Sequence, residues 1–465
     1  MDLSRDRAVA QIISRLETAK GKGVVRVEGT WGSFARLLAA YISEKLSRTI
    51  LYICPHIEDA DKAADDLHTF GCKSVEPLAA WEGEEELADA TDETRAERLK
   101  LVSRISYVVP PPARGRPCPR ESGDSGTDRP VIPASVQALC QPIPKPQALQ
   151  QSSLRLQINK TASPEGVVEW LVENGFERVD QIDLPGQFAR RGGIVDIYAP
   201  LISEKVLSDN LPTSGPTQSA EAVRVEFFGD TVESIRQINL DSQRSTGQIE
   251  SIDIVSAVCG SVAEQRELFI NILPEDAIIV LEEPNDVQEV ATVFCQRAES
   301  PDRLYNWTEI YEAARKFAQL HICRFAAAAP DDFLKVDVKS VQQYEHKATS
   351  VWAGHKAALE ELVQQAEQGK KVLLYCESPA EVKRVGEIVR EIDRRIPARF
   401  KLPLGFIHQG FVISSLNTIV ISHHELFGQY ALRRRLRRVR PTAPVDTLSD
   451  LQPGDYVVHS SYGIG

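Results

Sequence analysis

The sequence is poor in patterns that announce chemistry. Its eight cysteines (Cys54, Cys72, Cys118, Cys140, Cys259, Cys295, Cys323 and Cys376) are widely spread, and no pair forms a CxxC. That excludes the common zinc spacings and a disulfide-dense scaffold, and a reduced, cytoplasmic setting is expected. The nine histidines also lack ligand spacing. His423 and His424 are adjacent, so on a strand they face opposite sides and cannot share one metal. No metal site is expected. No apolar run approaches the ~20 residues needed to cross a bilayer, so no membrane partner is expected. Met1–Leu16 carries Asp2, Arg5, Asp6 and Arg7 without an uninterrupted apolar stretch, unlike a signal peptide. A basic balance is missing too: 54 Lys and Arg face 66 Asp and Glu, for a net charge of -12. Such a chain does not coat nucleic acid along its whole surface, and any such contact must come from local basic patches.

What is present is an ordinary globular composition. Of 465 residues, 42% are hydrophobic and 26% charged, too apolar for global disorder. At ~100–200 residues per domain, the length suggests two to four domains. Val9, Ile12, Ile13 and Leu16 predict an amphipathic helix over 1–20. A strand at Val24–Val27, a glycine-bearing turn, a helix from Phe34, a strand at Thr49–Cys54 and a helix at Ile57–Phe70 follow. Strand and helix alternating through short connections means an α/β layer with a parallel sheet. Trp81–Glu97 is dense in Asp and Glu, Ala113–Arg129 reads as an irregular exposed loop, and order resumes at Val131–Leu139.

Ser163-Pro164 caps and opens a helix that Gly175 stops. The next stretch is β-rich: a strand at Gly193–Tyr198, then Val223, Val225 and Phe227 alternating along another, turned at Gly229-Asp230 and returning over Thr231–Asn239. Leu201–Ala220 reads as a loop between them. Mixed α/β sequence resumes near Ile270, with strands at Ala277–Leu281, Lys371–Cys376 and Thr418–Ile421 and helices at Ala353–Gln368 and Pro379–Ile392. Arg433–Arg440 is a basic run, and Tyr456-Val457-Val458 starts a new strand.

The turn Gly29-Thr30-Trp31-Gly32-Ser33 sits where a phosphate loop would. A working loop needs G-x-x-x-x-G-K-[ST], with a Lys for the β/γ-phosphates and a hydroxyl for magnesium. Here Trp31 is bulky, Phe34 follows Gly32-Ser33, and Arg36 is out of register for the Lys. Gly29, Gly32 and Ser33 therefore read as a degenerate loop with no nucleotide, and no catalytic residue is identified. Arg178, Arg190, Arg191 and Arg224 gather on the β-rich stretch of an acidic chain. Two readings stay open: solvated arginines packing their stems over a sheet, or a docking surface for an acidic partner.

Residues 185–200 (PGQFARRGGIVDIYAP) and 223–245 (VRVEFFGDTVESIRQINLDSQRS) resemble the module shared by UvrB and the bacterial transcription-repair coupling factors. Three further stretches are similar to the coupling factors in particular: ASVQALCQPIPKP at 134–146, GFVISSLNTIVISHHELFG at 410–428 and LSDLQPGDYVVHSSYGIG at 448–465. The resemblance implies a P-loop-like α/β domain split by a small β-rich insert, then a second α/β domain and the opening of an SH3-like barrel. It implies these bounds: 1–151 for the first part of the α/β domain (113–130 the irregular loop), 152–246 for a UvrA-binding insert, 247–349 for the second part. A small α/β domain at 350–431, an arginine-rich linker at 432–446 and the start of an RNA-polymerase-interacting domain at 447–465 follow.

By the same resemblance, Arg178, Arg191 and Arg224 contact UvrA, with Arg190 and Tyr198 beside them; UvrB usually has Phe where Tyr198 stands. Arg433, Arg434, Arg437 and Arg438 are either a solvated linker or a contact for DNA or polymerase. Tyr456, Val457 and Ile464 belong to the barrel that meets the RNA polymerase β subunit. They are expected to lack strand partners, because Gly465 falls inside that barrel and reads as a truncation point. The intact family protein is an ATP-dependent, helicase-like DNA translocase that couples transcription to nucleotide excision repair of damaged DNA. Its ATP and magnesium belong to a motor not read in these residues. The expected chain is then a monomeric, non-catalytic part that recruits UvrA. The alternatives are a stand-alone UvrA-binding adaptor or decoy, and a UvrB-like helicase subunit.

Overall fold

The computed structural model describes residues 2–19, 23–81, 93–108, 129–200, 202–206, 222–240, 242–257, 265–325, 333–345, 351–393, 397–427, 458–459 and 463–464. The chain divides into two compact units, Met1–Tyr430 and Ala431–Gly465. In the second, Val458–His459 pairs antiparallel with Gly463–Ile464. Ile464 thus has a strand partner, Val458, contrary to the sequence expectation, because these two short segments pair with each other.

The larger unit is α/β, as expected, and holds three principal sheets. The first has six strands in the order Phe333–Lys335, Gly23–Glu28, Ala318–Cys323, Ile278–Glu282, Ile50–Cys54, Val131–Ser135. All its pairings are parallel. The sequence explains why both faces are covered. Ile50, Tyr52 and Cys54 enter one apolar cluster, while Leu51 and Ile53 enter another on the opposite face. Ile278 and Val280 against Ile279 and Leu281 repeat that split. A strand buried on two sides reads as an unbroken apolar run, and these do. Helix Arg7–Thr18 begins where Asp6 accepts a hydrogen bond from the Val9 amide, and it buries Val9, Ile12 and Leu16.

One helix of this layer, Glu93–Val108, was not visible in the acidic stretch. Three of its polar residues are buried: Thr94, Arg95 and Arg98 are at most 5% exposed. Arg98 donates to the carbonyls of Ala79, Ala138, Gln141 and Pro142 and lies 4.8 Å from the Trp81 ring. Sequence reading takes such charges as solvated, which hides the helix. The loop expected after it falls, over residues 113–128, outside the described residues.

The second sheet is the β-rich one. Its strands run in the order Ser153–Gln157, Arg244–Val255, Thr231–Asn239, Ala222–Phe228, Ile194–Tyr198, Gln187–Arg191, Glu177–Arg178. An added strand, Ile202–Val206, pairs with Arg244–Val255, so the segment read as a loop from Leu201 begins as strand. Its Ile202 is buried in the sheet's core. The strand Arg244–Val255 continues unbroken through residue 247. Helix Pro164–Glu173 covers one face, capped by Ser163, whose hydroxyl accepts from the Gly166 amide.

The third sheet orders Val338–Lys339, Phe411–Ile413, Thr418–Ser422, Lys371–Tyr375 and Phe400–Lys401, with helices Val351–Glu367 and Pro379–Ile392 packed on it. His423 and His424 open a short helix, His423–Phe427, rather than continuing the strand. The two rings diverge all the same: His424 is buried against the Ser422 hydroxyl at 2.8 Å, and His423 stacks on Phe427. Among the described residues no helix is long and apolar enough to cross a membrane, and no cluster of His, Cys, Asp or Glu has metal-site geometry.

Candidate functional site

The β-rich sheet sorts its side chains by strand register. Phe188, Val195, Ile197, Val223, Val225 and Phe227 point toward the covering helix and form the core. Residues one position off point the other way. On that outer face Ala189, Asp196, Arg224 and Arg236 lie side by side across four strands, with Arg191, Ile194 and Glu226 in the neighbouring row. A two-residue turn, Gly192-Gly193, joins Arg191 to Ile194. Gly192 has φ +63°, a conformation L side chains rarely adopt, and a Cβ on Gly193 would stand 3.0 Å from the Phe227 carbonyl.

The outer face is electrostatically wired. Arg224 donates from Nε and Nη2 to the two oxygens of Asp196 at 2.7 and 2.8 Å. That bidentate bond raises the Arg224 pKa further above its ordinary value. Glu226 accepts from the Ser234 hydroxyl at 2.6 Å and sits 3.7 Å from Arg236. Arg191 is exposed, and its Nη2 reaches the Asp180 carbonyl at 2.9 Å. This brings it beside the edge strand Glu177–Arg178, whose Arg178 is also exposed.

The sequence candidates therefore separate. Arg191 and Arg224 share the outer face, and Arg178 lies at the adjoining edge. Arg190 is on the opposite face, bonded to Glu165 of the covering helix; that bond holds the Glu165 carboxyl below its usual range. Tyr198 is only 6% exposed, in a small second core with Ile182, Ala189, Ala222 and Ile238. Arg433, Arg434, Arg437, Arg438, Tyr456 and Val457 lie outside the described residues.

One residue escaped the sequence reading. Phe228 is 80% exposed at the hairpin turn, and Ile194 is 37% exposed nearby in register. The signal was present: with Val223, Val225 and Phe227 facing inward, Phe228 had to face out. An exposed aromatic beside arginines has the make-up of an interface hot spot.

The glycine turn is built differently from a phosphate cradle. Arg36 is buried, with its guanidinium 3.1 Å from Glu282 and 3.7 Å from Asp66. Burial alone would lower its pKa, yet Glu282, Tyr52 and Asp66 together hold it well above the ordinary value. Gly29 and Gly32 both have positive φ, and the Ser33 amide donates to the Gln409 carbonyl at 2.9 Å.

Residues 154–208 and 212–258 match the UvrB interaction domain family. The chain is also 22% identical to a transcription-repair-coupling factor of Bacillus subtilis, in an alignment covering 94% of the chain and 41% of that protein. A Mycobacterium bovis protein of the same name is 30% identical over 51% of the chain and 16% of its own length. One from Staphylococcus aureus is 21% identical over 68% and 32%. The chain thus spans less than half the length of each of these relatives.

Proposed function

Because the chain is related along nearly its whole length to the transcription-repair-coupling factors and carries a UvrB interaction domain, we propose that its part in coupling transcription to repair is to dock UvrA. The outer face of the β-rich sheet is the docking surface. The observation that carries this reading is the grouping of exposed Arg191 and Phe228 around the ordered Arg224–Asp196 pair, with exposed Arg178 on the adjoining edge strand, within the residues that match the interaction domain. Arginine forks suit carboxylates on a partner, and the flanking aromatic supplies apolar area.

The remaining roles follow from the same relationship. The six-stranded parallel layer is read as a P-loop-like domain that has lost its nucleotide chemistry. No step of ATP chemistry is assigned to these residues, since the turn at Gly29–Ser33 has no lysine. Residues 447–465 are read as the opening of an SH3-like, RNA-polymerase-interacting barrel, and the antiparallel pairing of Val458–His459 with Gly463–Ile464 supports that reading. Recruitment of UvrA to stalled polymerase on damaged DNA is then the work of the intact protein.

The test is capture of purified UvrA by this chain, with Arg178→Ala plus Arg191→Ala as the variant. Loss of capture by a folded double variant is expected, and undiminished capture would sink the docking assignment.

A further inference from the structure

The glycine turn has an occupant already, and it is the chain's own backbone. At a helix N-terminus the first amides have no intrahelical partner, which is why such turns attract phosphate. Here the Ser33 amide donates to the Gln409 carbonyl at 2.9 Å, and the Gln409 amide donates back to the Ser33 hydroxyl at 3.1 Å. A Cβ on Gly32 would lie 2.5 Å from the Gly410 carbonyl oxygen and 2.8 Å from that of Gln409, so the concavity is closed.

The contact continues along the neighbouring helix, Ile57–Thr69. The His408 amide donates to Asp66 at 2.9 Å, and its ring sits 3.3 Å from Asp65. The Thr69 hydroxyl donates to the Phe406 carbonyl at 2.6 Å and accepts from the Phe406 amide at 3.1 Å. Asp66 is also the carboxylate facing Arg36, so the glycine turn, the buried ion pair and the loop Phe406–Gly410 form one network. Beneath it, Phe34 meets Phe411 edge-on at 5.7 Å, and Phe70 meets Tyr375 and Phe411 at 6.4 Å each. A single apolar cluster runs from Leu38 and Leu67 of the first layer to Ile407 of the loop and Tyr375 and Phe411 of the third sheet.

We propose that the turn Gly29–Ser33 is a socket for the loop Phe406–Gly410, locking the third α/β layer onto the first without any nucleotide. The peptide at Gln409 takes the Ser33 amide that a phosphate would otherwise use, and its own amide is held by the Ser33 hydroxyl. The two layers then open together, and no ligand at the turn sets the angle between them.

Hydrogen exchange followed by mass spectrometry on the whole chain tests this. Peptides spanning Gly29–Phe34 and Phe406–Phe411 should exchange slowly, and magnesium-ATP should leave both unchanged. Gly32→Ala should speed exchange in both by roughly tenfold or more, while the strand Ala222–Phe228 keeps its protection. Ser33→Ala, which removes one hydroxyl and adds no bulk, should speed exchange at Gln409 by a smaller factor. Fast exchange at either segment of the unaltered chain would overturn the proposal. So would slowing by magnesium-ATP, or a Gly32→Ala effect confined to one segment.

Discussion

Arg224→Ala separates what holds the docking surface together from what it offers a partner. Asp196 has a side chain only 9% exposed, and Arg224 satisfies both its oxygens. Hydrogen bonds to charged groups contribute about 1.5–3 kcal/mol net, and the Arg224 side chain, 22% exposed, is partly screened by water. Truncating it should therefore cost about 2 kcal/mol, mostly by leaving a nearly buried carboxylate without its partner. Asp196→Ala should cost a similar amount. The double variant should also cost about 2 kcal/mol rather than twice that, since each truncation already breaks the same pair. Arg224→Lys should recover less than half, because an ammonium cannot make the fork. A chain with several layers does not have one unfolding free energy, so the readout is local: amide exchange in Ile194–Tyr198 and Ala222–Phe228. About 2 kcal/mol corresponds to a ~30-fold rise in local opening. Fully additive costs would refute the reasoning and leave Arg224 as a free surface cation.

Burial pushes the His321 and His424 imidazoles down to about 4. The unfolded chain therefore binds more protons between that value and about 6.5, so stability is whole above that range and falls as pH drops through it. The loss is up to about 3 kcal/mol for each ring, read as a lower denaturation midpoint at pH 5 than at pH 7. Arg98→Met should cost about 3–5 kcal/mol, because it leaves the Ala79, Ala138, Gln141 and Pro142 carbonyls unpaired; loss of exchange protection across Glu93–Val108 reports it. Phe228→Ala should change stability by no more than about 0.5 kcal/mol, given its exposure, while weakening UvrA capture.

Periodicity made most of the fold legible. The apolar runs at Ile50–Cys54 and Ile278–Glu282 and the alternation at Val223–Phe227 predict their strands because burial on two faces or one leaves different patterns. Glu93–Val108 escaped because its burial is achieved with arginine, which pattern reading counts as polar. Ile202–Val206 escaped because it follows Pro200 and carries three polar residues in a row, Ser203, Glu204 and Lys205, so no alternation shows. The arginines of the site were legible, but their division was not. Arg190 and Arg191 are adjacent in sequence and point to opposite faces, one to Glu165 and one to solvent. Strand register decides that, and it cannot be read from composition.

That division supplies the most direct test of the docking assignment: the dissociation constant for UvrA measured for the unaltered chain, Arg191→Ala and Arg190→Ala side by side. The outer face predicts a roughly tenfold or greater loss for Arg191→Ala, about 1.4 kcal/mol, and a change within about twofold for Arg190→Ala. Equal losses for the two, or no loss for Arg191→Ala, would contradict it.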